Sequence, residues 1–253
     1  MSPLFDVRVG TLRLVITGRR GGHSEQPYAG LNLSLDVGDD DQRVLSNRAL
    51  VAGSIGMAPA SLVFMRQVHG DRVLAADEVA VLVSGEAAAA EADAAVLATP
   101  GAGVAVTAAD CLPLLLADRG GELGAAAHIG RRGLALGLGP AVLRHLAASG
   151  ARDPVAVLGP AIGACCYEVS ADLRDEVDAL APGAAATTSV GTPAVDIRRA
   201  LRRQLTAAGL PPSAITDVER CTAEDEEMFS YRRDPVTGRF AGIVAITGHR
   251  APP

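Results

Sequence analysis

At 253 residues the chain fits one mixed domain, residues 1–253, more simply than two. Hydrophobic residues make up 49% and aromatics only 3%, with no tryptophan, so Ala, Val, Leu and Ile must fill the core. With 23 basic against 29 acidic side chains the net charge is −6, which argues against nucleic acid as the main partner but leaves room for a small phosphate held by an arginine or two.

No apolar run approaches the roughly 20 residues that a membrane-spanning helix needs. The first residues lack the basic and apolar regions of a signal peptide, so a cytoplasmic setting without a membrane partner is expected. Four cysteines do not make a disulfide framework in a chain this long, and Cys165 and Cys166 are adjacent, where an ordinary bridge is geometrically poor.

In chain order, residues 12–17 predict a strand that runs into a glycine-rich loop over 18–30. Asp39–Asp41 can cap a helix reaching about Ser54, with Val44, Val51 and Ile55 at near-helical spacing. Residues 62–68 predict a strand, and the Ala/Glu-rich stretch 84–92 a surface loop or short helix. Short apolar runs at 94–99, 103–108, 112–117 and 123–127, with turn residues between them, form the densest strand region. A helix over 132–148, a strand over 155–158, a Ser-capped helix over 170–180 and a basic amphipathic helix over 196–208 follow. Strands at 215–219 and 240–246 close the chain. Such irregular alternation predicts a mixed α/β fold of layered sheets flanked by helices. Neither GxGxxG nor GxxxxGK[ST] follows a strand, which removes the two commonest nucleotide-binding readings.

The segment from Cys111 to His128 reads as two strands joined at Asp118-Arg119-Gly120-Gly121. If Arg119 and Gly120 form a two-residue loop, Cys111 lies directly opposite His128 on one sheet face, close enough to share a metal ion. Of the five histidines, His69 is best placed as a third ligand, because it ends a predicted strand and precedes Gly70. Two histidines and a cysteine with an open fourth position suit catalytic zinc. From spacing alone, however, each of the three reads more readily as a structural residue than as a ligand, since a buried free cysteine behaves as a small hydrophobe.

These residues sit in motifs. Arg66-Gln67-Val68-His69-Gly70, Ala109-Asp110-Cys111-Leu112-Pro113, the stretch from Ala127 to Gly133 and the stretch from Gly159 to Val169 follow one another in the order found in the YfiH family, as do the Cys221-Thr222 pair and the stretch from Phe229 to Asp234. The chain closely resembles that family, also called laccase-domain or multicopper polyphenol oxidase-like, over nearly its whole length. The resemblance implies a single α/β domain of layered β-sheets with zinc on His69, Cys111 and His128. It implies phosphorolysis of adenosine, inosine, guanosine or methylthioadenosine to base and ribose 1-phosphate, together with adenosine deamination. A bacterial branch of the family is linked to editing of peptidoglycan precursors, which would use the same zinc on an amide bond. A metal-stabilised binding protein is the remaining alternative, and the oligomeric expectation is a monomer or homodimer.

Asp110 is the candidate acid/base beside the metal, although strand neighbours point to opposite faces and a backbone-organising role fits it equally. Arg48, Arg66, Gln67 and Arg19 lie in or beside the matched motifs and are candidate binders of phosphate or base, each readable also as a surface or packing residue. Arg232 and Arg233 are placed away from the substrate. Tyr167 and Glu168 are assigned to capping the next helix, and Cys165 and Cys166, without metal-ligand spacing, to packing. Arg131 stands where the family has tryptophan, and Asp36 where it often has histidine. Five scattered histidines without a His-x-His pair cannot supply a trinuclear copper cluster, so true laccase activity is excluded from the expectation.

Overall fold

In the computed structural model, which describes residues 3–85 and 90–247, the short apolar runs pair into two large sheets. The chain opens with β1 (Phe5–Val9) and β2 (Leu12–Ile16), then α1 (Asp41–Ser54), β3 (Leu62–Phe64), β4 (Val73–Leu74) and α2 (Ala76–Ser84). The dense central region folds as β5 (Ala94–Leu97), β6 (Gly103–Ala108), β7 (Leu112–Asp118) and β8 (Gly124–Ile129), followed by α3 (Arg131–Ala135), α4 (Leu138–Ala148) and β9 (Pro154–Leu158). Then come α5 (Ala171–Leu180), the hairpin β10 (Ala185–Thr187) and β11 (Pro193–Val195), α6 (Ile197–Ala207), β12 (Ile215–Asp217) and β13 (Phe240–Ile246). One sheet has the order β1-β2-β13-β6-β3 and the other β12-β9-β7-β8-β5-β4, and both mix parallel with antiparallel pairs.

Period-two alternation sorts the apolar side chains into layers. On β7, Leu112, Leu114 and Leu116 face a core shared with Leu134 of α3, Leu138 and Val142 of α4, and Leu201 and Leu205 of α6. Leu115 and Ala117 face the other way and meet Val104 and Val106 of β6 and Phe240 and Val244 of β13 between the sheets. The outer face of the five-stranded sheet packs Ala105, Ile243 and Ala245 against Val51 and Ile55 at the end of α1. Central strands covered on both faces read as unbroken apolar runs, which is why the alternation was invisible as polarity.

Residues 103–108 and 240–246 form strands with the expected limits, and Asp40, Ser170 and Asp196 cap the helices that follow them through side-chain oxygens. Three local expectations need correction. The helix expected over 132–148 is two helices, broken at Gly137, whose φ of 74° leaves the helical region. The strand expected over 62–68 stops at Phe64, because Gln67 replaces the ladder: its amide accepts the Thr107 N–H (2.7 Å) and donates to the Thr107 carbonyl (2.8 Å). The chain then crosses to the other sheet, where Arg66 bridges Glu91. Finally, the β7–β8 register is two residues away from the expected one, so Pro113 and not Cys111 opposes His128. Asp118 folds its carboxylate onto the Gly120 N–H, lengthening the turn, and pairs onward with Leu123 through its own N–H. Of the stretch 84–92, Ser84 ends a helix that the sequence reading did not foresee, and residues 86–89 lie outside the described residues.

Candidate metal centre and its pocket

A shift of two residues keeps every side chain on its face, so Cys111 still lies diagonal to His128 on the side that looks toward the other sheet. The other neighbour of His128 is Asp93. Continuing the β5–β8 register, in which Ala94 opposes Ala127, places Asp93 opposite His128. The His128 N–H donates to the Asp93 carbonyl (2.7 Å), and His128 Nδ1 donates to Asp93 Oδ1 (2.9 Å). The same buried carboxylate accepts the N–H groups of Val68 (3.1 Å), His69 (3.0 Å) and Gly70 (2.7 Å). Three successive N–H groups form an anion-binding nest, and it holds His69 at a φ of 57°, a conformation non-glycine residues seldom adopt.

The outcome is convergence. Ligand atoms of His69, Cys111 and His128 lie within 4.8 Å of one another, with Cys111 Sγ 3.9 Å from His69 Nε2 and the two imidazoles edge to face at a centroid distance of 4.8 Å. Gly130 permits this approach, since a Cβ there would sit 3.0 Å from His69 Cδ2 and 3.1 Å from Cys111 Sγ.

The electrostatics favour the thiolate form of Cys111. Burial alone would raise the Cys111 thiol, but His128 and His69 outweigh it and bring its pKa down to about 6. Burial opposes the His128 charge in turn, yet Cys111 and Asp93 pull its pKa up to about 9. These are two sides of one proton transfer, a thiolate beside an imidazolium. Burial also works against the Asp93 charge, and the bonds from His128, Gly70 and Val68 prevail, holding that carboxyl below its usual range.

The trio opens into a cavity of about 560 Å³ whose wall includes Asp36, Gln67, Asp110, Tyr167, Tyr231 and Arg239. Asp110 sits at a φ of 97° with both carboxylate oxygens engaged, one by the Thr222 hydroxyl (2.6 Å) and one by the Arg232 N–H (2.7 Å). It fastens the β6–β7 turn to two other loops. Gln67 reaches the cavity wall with its amide committed to Thr107. Arg48, Arg66 and Arg19 are not brought there. Arg48 donates to the Leu33 carbonyl and stacks 3.8 Å from the Phe64 ring centre, where burial lowers its pKa to about 10. Arg66 pairs with Glu91 at the surface. Arg19 holds the Ala29 carbonyl and lines a separate cavity of about 720 Å³ together with Arg20 and Arg233.

Asp93, Tyr231 and Arg239 were not among the candidates, and Arg232, expected away from the substrate, lines the cavity. Asp93 had a signal, a carboxylate at the mouth of the wholly apolar run Ala94–Leu97. The others are gathered only by tertiary folding. Arg232 binds the Glu168 carbonyl (3.1 Å) and stands 5.4 Å from the Tyr167 ring centre. Arg239 gives Nη1 to the carbonyls of Thr237 and Gly238, leaving Nε and Nη2 without a protein partner among the described residues. Tyr167 lines the cavity instead of capping α5, whose cap is Ser170. Burial and then Cys111 push the Tyr167 phenol up, while Arg131 and Arg232 pull the other way.

A family model described as multi-copper polyphenol oxidoreductase laccase matches residues 13–247. The chain belongs to that family. A Streptomyces coelicolor protein named purine nucleoside phosphorylase is 46% identical over 231 residues, covering 90% of this chain and 93% of its own. Escherichia coli YfiH, also named purine nucleoside phosphorylase, is 39% identical over 233 residues, covering 89% and 90%. Among solved structures, Geobacillus stearothermophilus YlmD superposes with a TM-score of 0.84 at 31% identity over 94% of this chain and 93% of that one. Bacillus licheniformis YfiH gives 0.82 at 29% identity over 93% of each. The laccase-family fold is therefore shared end to end with the YfiH proteins.

Proposed function

We propose that this chain is a zinc-dependent purine nucleoside phosphorylase. The observation that carries the reading is the convergence of His69, Cys111 and His128 in the lining of a cavity that also holds Arg239, two of whose nitrogens lack a protein partner among the described residues. The naming of relatives at 39–46% identity supplies the substrate class.

The donor set fits zinc. Two imidazoles and an easily ionised thiol are borderline-soft ligands, the second nitrogen of His128 is held by a carboxylate as zinc-bound histidines require, and only Gly130 leaves room for the three to meet. His69, Cys111 and His128 would hold the ion, which when bound supplies a Lewis acid at its open fourth position. The protein's own groups do the rest. Arg239 offers a fork for phosphate oxygens, the rings of Tyr167 and Tyr231 offer flat walls for a purine where the family tryptophan is absent, and Asp36 offers an acceptor for ribose hydroxyls. In phosphorolysis a phosphate oxygen bonds to C1′, the C1′–N9 bond breaks, and the purine leaves with the electron pair. A trinuclear copper centre does not suit this cavity, which two imidazoles reach.

Purified protein incubated with adenosine should release adenine only when phosphate is present, and Cys111→Ala should lose both the pocket's zinc and turnover. Adenine release independent of phosphate, or a fully active Cys111→Ala protein that has lost the pocket's ion, would sink the reading. The deaminase expectation is followed in the same reactions as ammonia. With Asp110 committed to Thr222 and Arg232, that activity needs another proton carrier. Cleavage of a muramyl-amino-acid substrate with no action on adenosine would favour the precursor-editing alternative.

A further inference from the structure

The second cysteine cluster lies outside the pocket and has no part in the proposed chemistry. Cys165 and Cys166 come from one tight turn, in which the N–H groups of Cys166 and Tyr167 return to the Gly163 carbonyl at 3.0 and 2.9 Å. Cys221 and Glu224 come from another, in which the N–H groups of Glu224 and Asp225 return to the Cys221 carbonyl at 3.2 and 3.0 Å. The bridge between Ala161 and Cys221 sets the turns side by side. Three sulfurs and one carboxylate oxygen then lie within 4.8 Å of one another, with Cys165 Sγ 3.6 Å from Glu224 Oε2.

Two further features resemble those of thiolate–metal sites. The Gly163 N–H points at Cys221 Sγ from 3.2 Å, a bond that stabilises a thiolate. Gly163 eases the convergence, since a Cβ there would crowd Cys165 Sγ at 3.0 Å. A disulfide uses two sulfurs and leaves the third thiol and Glu224 unexplained, whereas four donors from two turns match the ligand count of a closed tetrahedral site.

We propose that Cys165, Cys166, Cys221 and Glu224 form a second metal site, a structural zinc that is distinct from the one in the pocket. It ties the turn carrying Tyr167 into the cavity wall to the turn carrying Thr222, whose hydroxyl holds the Asp110 carboxylate beside Cys111. Thiolate donors select zinc or another soft cation over magnesium or calcium.

The test is zinc content per chain, measured by mass spectrometry on dialysed protein. Wild type should hold about two ions, Cys111→Ala about one, and Cys111→Ala combined with Cys221→Ser none, since each set binds one ion. Cobalt loaded into Cys111→Ala should give a thiolate-to-cobalt charge-transfer band that vanishes in the double variant. Glu224→Gln, at an exposed position that keeps the fold, should weaken the second ion at least about tenfold. One ion in wild type, lost entirely in Cys111→Ala while Cys165, Cys166 and Cys221 all react with iodoacetamide, would overturn the proposal. So would a Cys165–Cys221 disulfide in protein purified with zinc present. Zinc content in the Cys111→Ala background is independent of nucleoside turnover, so failure here is separable from failure of the phosphorylase reading.

Discussion

Asp93 organises the proposed metal centre more than any of its three candidate ligands does. It orients His128 and accepts three N–H groups around His69, so its removal disturbs two ligands together. Asp93→Asn should lower zinc affinity about 10- to 100-fold, as changes to the partners of metal-bound histidines do, and destabilise the fold by about 1–3 kcal/mol. Competition with a chelating dye and a denaturant melt read the two effects. The Asp93 carboxyl is held down, so its contribution to stability is present above the ordinary carboxyl pKa of about 4 and is lost as pH falls through the lower folded value. Cys111 offers a second measurement at this scale. In metal-free protein its alkylation by iodoacetamide should rise around pH 6 and level off near neutrality, because the thiolate is the nucleophile and its pKa is brought down to about 6. A rise centred near pH 9 would refute the thiolate–imidazolium pair.

Among the elements, the turn from β8 into α3 is the tightest constraint on the centre. Gly130→Ala should lower zinc content with little loss of helix, since the added methyl meets His69 and Cys111 and not the helix backbone. A zinc titration beside a far-UV spectrum checks this. Much at this scale was legible. Apolar runs bounded by turns located the central strands, and Asp40, Ser170 and Asp196 marked three helix starts through ordinary capping chemistry. The hairpin put Cys111 and His128 on one face, although two residues out of register, because the face depends only on parity while the register depends on how Asp118 folds the turn. What stayed hidden was work done by side chains on distant backbone. Gln67 ends β3 by bonding Thr107, forty positions along the chain, and no local pattern announces such a bond. Arg48 shows the converse. It was a candidate binder, yet from α1 its side chain reaches onto Phe64 and not into the cavity.

For the whole molecule, stability rests on the layer between the sheets. Leu115 is fully buried there among Val104, Phe240 and Val244. Leu115→Ala should cost about 2–5 kcal/mol, and in a chain of this size each kcal/mol lowers the melting temperature by about 2–4 °C. The matched relatives run the length of the chain, so the loops that gather Tyr231, Arg232 and Arg239 belong to the shared architecture and are not an appendage. Among the described residues no helix is long and apolar enough to cross a membrane.

The crossing after β3 orders events in time. Residues 66–70 leave one sheet and deliver His69 to a carboxylate on the other, while Gln67 ties the same segment back to Thr107, so the three side chains are expected to meet only once the two sheets have docked. Zinc capture by the proposed centre should then be a clock for the last stage of folding. During refolding with a zinc-responsive dye, uptake by the pocket should lag behind the far-UV signal of strand formation, and uptake that precedes it would show that the ion gathers the chain instead of arriving after it.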